Sequence, residues 1–442
     1  MTNPIESIDL LIESQWIAAV DPDIVLKNHA VAVHRGRIVA LLPAGDARKK
    51  YKADTHVILD EHILIPGLIN LHTHAAMSLM RGMADDLPLM DWLQNHIWPA
   101  EAAHVSAQFV YDGTRLACAE MLKGGITCFN DMYFFPEATA SAAQEFGMRV
   151  VLGITALEFP SAYASDADDY LNKGLSVREQ YLDNPLIHFC LAPHAPYTVA
   201  DKTFERIVTL SAQLNLPIHC HIHETRQEIE DSLNQRQERP LERLQQLGLL
   251  SPSFIGVHAV HLDDADLARL AATGCNIAHC PSSNLKLASG FAPVARMRQL
   301  DINVGLGTDS AASNNRLDLF SEMRLAALLA KGLSGDASAL PAKEVLRMAT
   351  LNGAVALGLG DETGSITQGK SADLCAVSLA DLNSRPCYDP VSHLVNVVGR
   401  ESVTHVWVAG KCCVDHKRLI SNSQNDLESI SALWQNRLEV RK

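Results

Sequence analysis

ILIPGLINLHTH, residues 63–74, is an apolar run that ends in two histidines one residue apart. Ile63 to Leu71 reads as a strand buried on both faces. Side chains two apart on a strand share a face, so a strand continuing through His74 would point the His72 and His74 imidazoles the same way. Two adjacent imidazoles turned inward cost free energy unless each has a partner. A metal ion suits both. The alternative is a pair of hydrogen-bonded core histidines, and the rest of the chain has to decide.

Seven further apolar runs follow in order: GITCFND, RVVLGITA, LIHFCLAPH, LPIHCHIH, FIGVH, CNIAHC and INVGLGTD. Ala- and Leu-rich helical patterns such as SEMRLAALLAKGL (321–333) separate most of them. Eight strand-then-helix units predict an α/β fold, a closed parallel (β/α)8 TIM-type barrel over residues 66–365. The ends of the chain have another texture. IDLLIES, AVAVHRGRIVALLP and THVILDEHILI alternate and carry turn signals, as do ADLCAVSL (372–379) and VTHVWVAGKCCV (403–414). These read as antiparallel strands. Residues 1–65 and 366–442 are expected to pair into one small β-sandwich, with a C-terminal helix from about 424 to 440.

The bulk numbers fit a metabolic enzyme better than a scaffold for large polyanions. The 442 residues carry 37 Lys+Arg against 51 Asp+Glu, a formal charge of −14. That balance disfavours a phosphate backbone, so no nucleic-acid partner is expected. No apolar stretch has the length of a membrane span, and MTNPIESIDLLIES lacks the basic start and apolar core of a signal peptide. The ten cysteines show no CxxC spacing and read as reduced core thiols of a cytoplasmic protein. A homo-oligomer is left open.

In such a barrel the active site lies at the C-terminal ends of the strands. Strand one ends in His72 and His74, strand four in His194, strand five in His221 and His223, strand six in His258 and strand eight in Asp309. Three nitrogens from His72, His74 and His221 with an oxygen from Asp309 suit one divalent ion, zinc, although iron or manganese also fits. Taken alone, Asp309 in Thr-Asp-Ser could equally cap a helix. His223 shares the strand parity of His221 but is expected behind the ligands or in the core. Glu224, just past the strand, can give a proton to a ring nitrogen and shuttle it afterwards; otherwise it is a first-turn helix carboxylate. His258 is preferred to His261 for steering the attacking water, and His261 and His279 read as structural. No Lys or Glu ends strand four to bridge a second metal, so one ion is expected. GxSxG, HExxH and HxE…PCxxC are absent.

HTH after PGLIN, HxxE at 221–224, the histidine of GVHAVHL, and GTD followed by SNN together resemble the amidohydrolase superfamily over nearly the whole chain. More narrowly, WPAE (98–101), APHAPYT (192–198), HIHET (221–225), AHCPSSNLKLASG (278–290) and LGTDSAASNN (306–315) are similar to the methylthioadenosine/S-adenosylhomocysteine deaminases. The resemblance implies hydrolytic deamination of a small-molecule nucleoside: 5′-methylthioadenosine, and more weakly S-adenosylhomocysteine or adenosine. It implies that Glu101 holds the ribose hydroxyls and His194 contacts the nucleoside. Glu224 would act on the purine ring, and Asp309 would serve both metal and catalysis. The nearest alternative is a hydrolase of the same scaffold acting on a triazine, guanine or another aminopurine. Glu101 and His194 argue against it, because a bare ring needs no ribose clamp. A scaffold without activity would be expected to have lost ligands, and all four are present.

Two features bear on the 5′ substituent. Members that accept the homocysteine nucleoside tend to carry an Arg near the end of strand three, where this chain has Ile154. The stretch 78–98 is expected to form a lid that shows some of Met80, Met83, Leu87, Met90 and Trp92 to the ligand.

Overall fold

A computed structural model describes residues 5–421 and 424–439. Among them the strands fall into two eight-stranded sheets. The first four are β1 (Glu6–Ala18), β2 (Val25–His34), β3 (Arg37–Pro43) and β4 (Tyr51–Pro66). The barrel strands are β5 (Leu68–Thr73), β6 (Ile126–Asp131), β7 (Arg149–Ala156), β8 (Ile187–Pro193), β9 (Ile218–Ile222), β10 (Phe254–His258), β11 (Asn276–His279) and β12 (Asn303–Leu306). The last four are β13 (Leu374–Ser378), β14 (Val403–Val408), β15 (Lys411–Asp415) and β16 (Arg418–Leu419).

The outer sheet has the order β16-β15-β14-β13-β4-β1-β2-β3, so both ends of the chain build it. The expected sandwich takes the form of one continuous sheet that curls over on itself. Ile38 donates its N–H to the Lys370 carbonyl and Ala372 to that of Gly36. The fold-over encloses Ile12, Val31, Val33, Leu64, Leu374 and Trp407. One pairing differs from the antiparallel expectation: β1 and β4 run parallel, with Ile12 opposite Val57. The chain reaches β4 only after β2, β3 and the short helix Ala44–Lys50, and that crossover returns it in the direction of β1.

The run at 63–74 is divided between the sheets. Ile63–Pro66 closes β4 and pairs with β13, Leu64 opposite Ala376, while Leu68–Thr73 opens the barrel. Gly67 is the joint. A Cβ there would lie 2.1 Å from Thr127 Oγ1, and its N–H donates to the Asp373 carbonyl at 2.8 Å. The run is apolar throughout because one half faces the seam between sheet and barrel and the other half lies inside the barrel wall.

Barrel strands β5 to β12 are neighbours in sequence order, and every laddered pair is parallel. Closure between β12 and β5 uses individual hydrogen bonds instead of a ladder. Asp309 N–H donates to the His72 carbonyl at 3.0 Å, and Thr308 N–H to Asn70 Oδ1 at 2.9 Å. Gly307 makes this approach feasible: a Cβ there would sit 2.9 Å from both the backbone nitrogen and Cβ of His72. The C-terminal helix Gln424–Glu439 docks on the helix Ala107–Lys123, where the Trp434 indole donates to Asp112 Oδ2 at 2.9 Å. No helix among the described residues is long and apolar enough to cross a membrane.

Gly307→Ala forces the seam apart at backbone atoms that cannot swing away. It should cost about 1–3 kcal/mol, the usual range for overpacking, read as a lower denaturation midpoint with an unchanged m-value. An unaltered midpoint would mean that the seam is looser than its distances imply.

Candidate active site

The barrel rim collects its polar residues from distant parts of the chain. His72 lies in the last turn of β5 and His74 just past its end, since the strand stops at Thr73. His221 is the fourth residue of β9, and Asp309 follows β12. His72 Nε2 is 3.2 Å from Asp309 Oδ1, His74 Nε2 is 3.4 Å from the same oxygen, and His221 Nε2 is 3.3 Å from His72 Nε2. These three separations match the edge of a tetrahedron whose centre lies about 2.0–2.1 Å from each corner, a zinc–nitrogen bond length, and His72, His74 and His221 each offer an atom within 4.8 Å of the others.

The far side of each ring fixes which nitrogen is bare. His74 Nδ1 faces the Met132 carbonyl at 2.6 Å, and His221 Nδ1 the His194 carbonyl at 2.7 Å. A carbonyl only accepts, so both Nδ1 atoms carry the hydrogen and both Nε2 atoms present lone pairs. Those lone pairs face one another and a carboxylate. Buried donors of one sign at this distance repel unless a cation lies between them. The second Asp309 oxygen is held by the Ser283 and Ser313 hydroxyls, each at 2.6 Å, which aims Oδ1 at the histidines. The residues present therefore fit a divalent ion.

Glu224 lies beyond β9 and is buried. Burial raises its carboxyl above the ordinary value, and the nearby Asp309 carboxylate reinforces the shift. A raised carboxyl beside the rim is suited to exchanging a proton with a bound ligand. His258, the last residue of β10, donates through Nδ1 to Asn284 Oδ1 at 2.8 Å and turns Nε2 toward Glu224 Oε2, 3.8 Å away. The helix starting at Arg226 fixes Glu224 from behind. Thr225 caps it, and Glu228 accepts the N–H groups of His223 and Glu224 at 3.0 and 2.9 Å. Burial pushes the Glu228 carboxyl up to about 8.

The cavity over the rim is lined by His74, Glu101, His194, His221, Glu224, His258 and Asp309, which brings all the candidates except His72 to its surface. His72 lies beneath, fully buried. Tyr133 donates its hydroxyl to Glu101 Oε1 at 2.6 Å. Burial raises the Glu101 carboxyl, and the Tyr133 hydrogen bond opposes the shift. His194 Nδ1 is paired with Thr198 Oγ1 at 3.0 Å, and burial lowers the ring to about 3, so it stays neutral.

Several details differ from the sequence expectations. Ile154 faces outward against the helix Ala167–Gln180, where a Cβ on Gly174 would lie 2.4 Å from its Cγ2. Its strand neighbour Thr155 faces the cavity instead. Of the five lid residues expected to face the ligand, Met80, Met83, Leu87, Met90 and Trp92, only Trp92 lines this cavity. Met80, buried at 1%, packs beneath the segment with Met83 and Leu87, and Met90 lines a neighbouring groove. Met77 and Met132 are the methionines that reach the cavity. His223, by contrast, lies in the core, where it was expected: its φ of +50° past the strand end turns the ring away. There its Nε2 accepts from Leu241 N–H at 3.1 Å. His261 is tied to the Ser289 carbonyl at 2.7 Å.

Sequence reasoning missed His219, whose Nε2 lies 3.1 Å from His72 Nδ1 deep in the barrel. Strand parity with His221 was the available signal. It also missed Asp131, which ends β6 and accepts the Ala75 N–H at 2.7 Å, so anchoring the chain just after His74. Tyr133, Asn284 and Glu228 carried no signal, because their roles depend on loop conformation.

Residues 63–413 match the amidohydrolase family. The chain is 46% identical to a 5-methylthioadenosine/S-adenosylhomocysteine deaminase of Saccharophagus degradans, covering 100% of this chain and 99% of that one. It is 38% identical to a 5′-deoxyadenosine deaminase of Methanosarcina mazei, covering 95% and 96% of the two. It superposes with a TM-score of 0.97 on the crystal structure of an adenosine deaminase from Xanthomonas campestris with bound zinc, at 47% identity over 99% of this chain and 100% of that one.

After exhaustive dialysis against metal-free buffer, elemental analysis should find one tightly held equivalent per chain. His72→Ala should abolish both that equivalent and turnover. Two retained ions, or full turnover of the metal-free protein, would contradict the single-centre geometry.

Proposed function

The chain belongs to the amidohydrolase family, and on that basis we propose that it is a zinc-dependent hydrolase that deaminates 5′-methylthioadenosine, with S-adenosylhomocysteine and adenosine as slower substrates. The observation that carries this reading is the convergence in one cavity of a divalent-metal donor set, a buried Glu224 whose carboxyl is raised by burial, and Glu101 set back from them. The names of the relatives support the substrate class.

His72, His74, His221 and Asp309 would hold the ion, whose Lewis acidity lowers the pKa of the attacking water toward neutrality. The chain's own groups move the protons. Glu224 gives its proton to purine N1, which makes C6 electrophilic. Asp309, with the bare Nε2 of His258 beside it, takes the first proton from the water as the oxygen adds to C6. That proton passes to the exocyclic amine, the C6–N bond breaks, and ammonia leaves. The hydroxyl proton remaining at C6 returns to Glu224. The product is the inosine analogue, with N1 protonated and a carbonyl at C6.

Glu101 can accept two hydrogen bonds from the vicinal diol of ribose, and its bond from Tyr133 orients it for that purpose. His194, held neutral, offers its free Nε2 to the nucleoside. The lid contributes Leu89, Trp92, Leu93, Ile97 and Trp98 to the cavity, and no Lys or Arg lines it among the described residues. Such a wall favours a methylthio group. Burying that group is worth on the order of 1–2 kcal/mol, and a homocysteine carboxylate would enter without a cation to meet it. Ten free cysteines, most of them buried, support a reducing compartment, the cytoplasm.

Glu224→Gln keeps the size of the side chain but removes the exchangeable proton. kcat should fall by roughly 10²-fold or more with metal content unchanged; near-normal kcat would assign the proton to another group. In competition assays 5′-methylthioadenosine should exceed adenosine in kcat/KM by roughly ten-fold, as the burial energy implies. Ammonia release from guanine or aminotriazines but from none of the adenosines would overturn the proposed function.

A further inference from the structure

A second convergence of imidazole and carboxylate lies outside the barrel, on the outer sheet. His405 is on β14, Asp415 ends β15, and His416 sits in the two-residue turn to β16. His405 Nε2 is 3.2 Å from Asp415 Oδ1, and His416 Nδ1 is 2.7 Å from the same oxygen. One ligand atom from each of the three lies within 4.8 Å of the others. β13 pairs Ser378 with His62 of β4 and Ala376 with His405, and residues two apart share a face. His62 and His405 therefore stand on one face with β13 between them, their rings 6.5 Å apart.

The hydrogen bonds behind the rings expose the same kind of lone pair as at the barrel rim. Thr404 Oγ1 donates its proton to the Ala376 carbonyl at 3.3 Å, so toward His405 Nδ1, at 2.9 Å, it can only accept. His405 Nδ1 is then protonated, and the bare Nε2 faces a carboxylate oxygen. His62 Nδ1 is bound to the Asp60 carbonyl, and its Nε2 is buried without any hydrogen-bond partner. His416 and Lys417 have φ of +48° and +68°, a tight left-handed turn that keeps His416 beside Asp415. A bare nitrogen against a carboxylate, with a second imidazole on the same oxygen, calls for a cation between them.

We propose that His405, Asp415 and His416 form a second divalent-cation site, selective for a borderline ion such as Zn2+, with His62 as the neighbouring donor. The donor set is imidazole and carboxylate, as borderline ions prefer. Asp415 is half exposed and His416 is 80% exposed, so the ion exchanges with solvent and is held more weakly than the buried centre. Loaded, it ties the β14–β16 edge together beside β4, joining sheet strands from the two ends of the chain. Its effect is on stability and not on turnover.

The test uses dialysed enzyme that retains its tightly bound ion, titrated calorimetrically with Zn2+. One further, weaker equivalent is expected, with a concentration-dependent rise in Tm. His416→Ala, at an exposed turn, and the isosteric Asp415→Asn should each weaken that equivalent by at least about ten-fold, the lower end of what losing a supporting partner costs a metal site. Both should abolish the Tm rise and leave kcat and the tight ion unchanged. The proposal fails if no second equivalent binds, which would make the cation shared by His405 and Asp415 a proton. It also fails if both variants bind that equivalent as the parent does.

Discussion

Inside a closed barrel, Nε2 of His72 and of His74 lie 3.2 and 3.4 Å from Asp309 Oδ1, and His221 Nε2 lies 3.3 Å from His72 Nε2. Desolvated donors of one sign are among the costliest groups a fold can bury, so a cation between them is the constraint on which the rim depends. Every donor is aimed from behind. The Met132 and His194 carbonyls set two tautomers, and two serine hydroxyls set the carboxylate. The same constraint reaches the backbone: the N–H of Asp309 bonds to the carbonyl of His72, so the hydrogen bond that closes the barrel also joins two of the residues proposed to hold the ion. Gly307 leaves room for that bond.

Proton chemistry is arranged one layer farther out. Burial raises the Glu224 carboxyl, and its backbone N–H is held by Glu228. Glu101 stands apart from the rim on the helix Trp98–His104, in the segment after β5, and is oriented by Tyr133 from the segment after β6. Under the proposed function, reacting atoms and sugar would be read by different loops over one rigid set of strands, which is how a barrel rim separates chemistry from specificity.

The barrel was legible because its strands are short apolar runs between helical patterns, and a closed parallel barrel is the arrangement that buries eight such units. The convergence of His72, His74, His221 and Asp309 at one rim was legible because each sits at or just past a strand end. Strand parity stops where the backbone leaves the strand, as at His223 with φ +50°, and it misplaced Ile154, whose neighbour Thr155 faces the cavity instead. The parallel pairing of β1 with β4 was not legible, since local alternation reports burial and not partner direction. Glu228, Tyr133 and Asn284 act through loop geometry, which no periodicity encodes. His219 was within reach of parity reasoning, but stands one turn of the pleat below the rim.

Anomalous diffraction at the zinc edge from crystals of the dialysed enzyme tests the central constraint most directly. The prediction is one strong peak per chain at the rim, about 2.0–2.1 Å from Nε2 of His72, His74 and His221 and within bonding distance of Asp309 Oδ1. An ordered rim with the same histidine tautomers and no anomalous peak, or a peak bound by other residues, would contradict it.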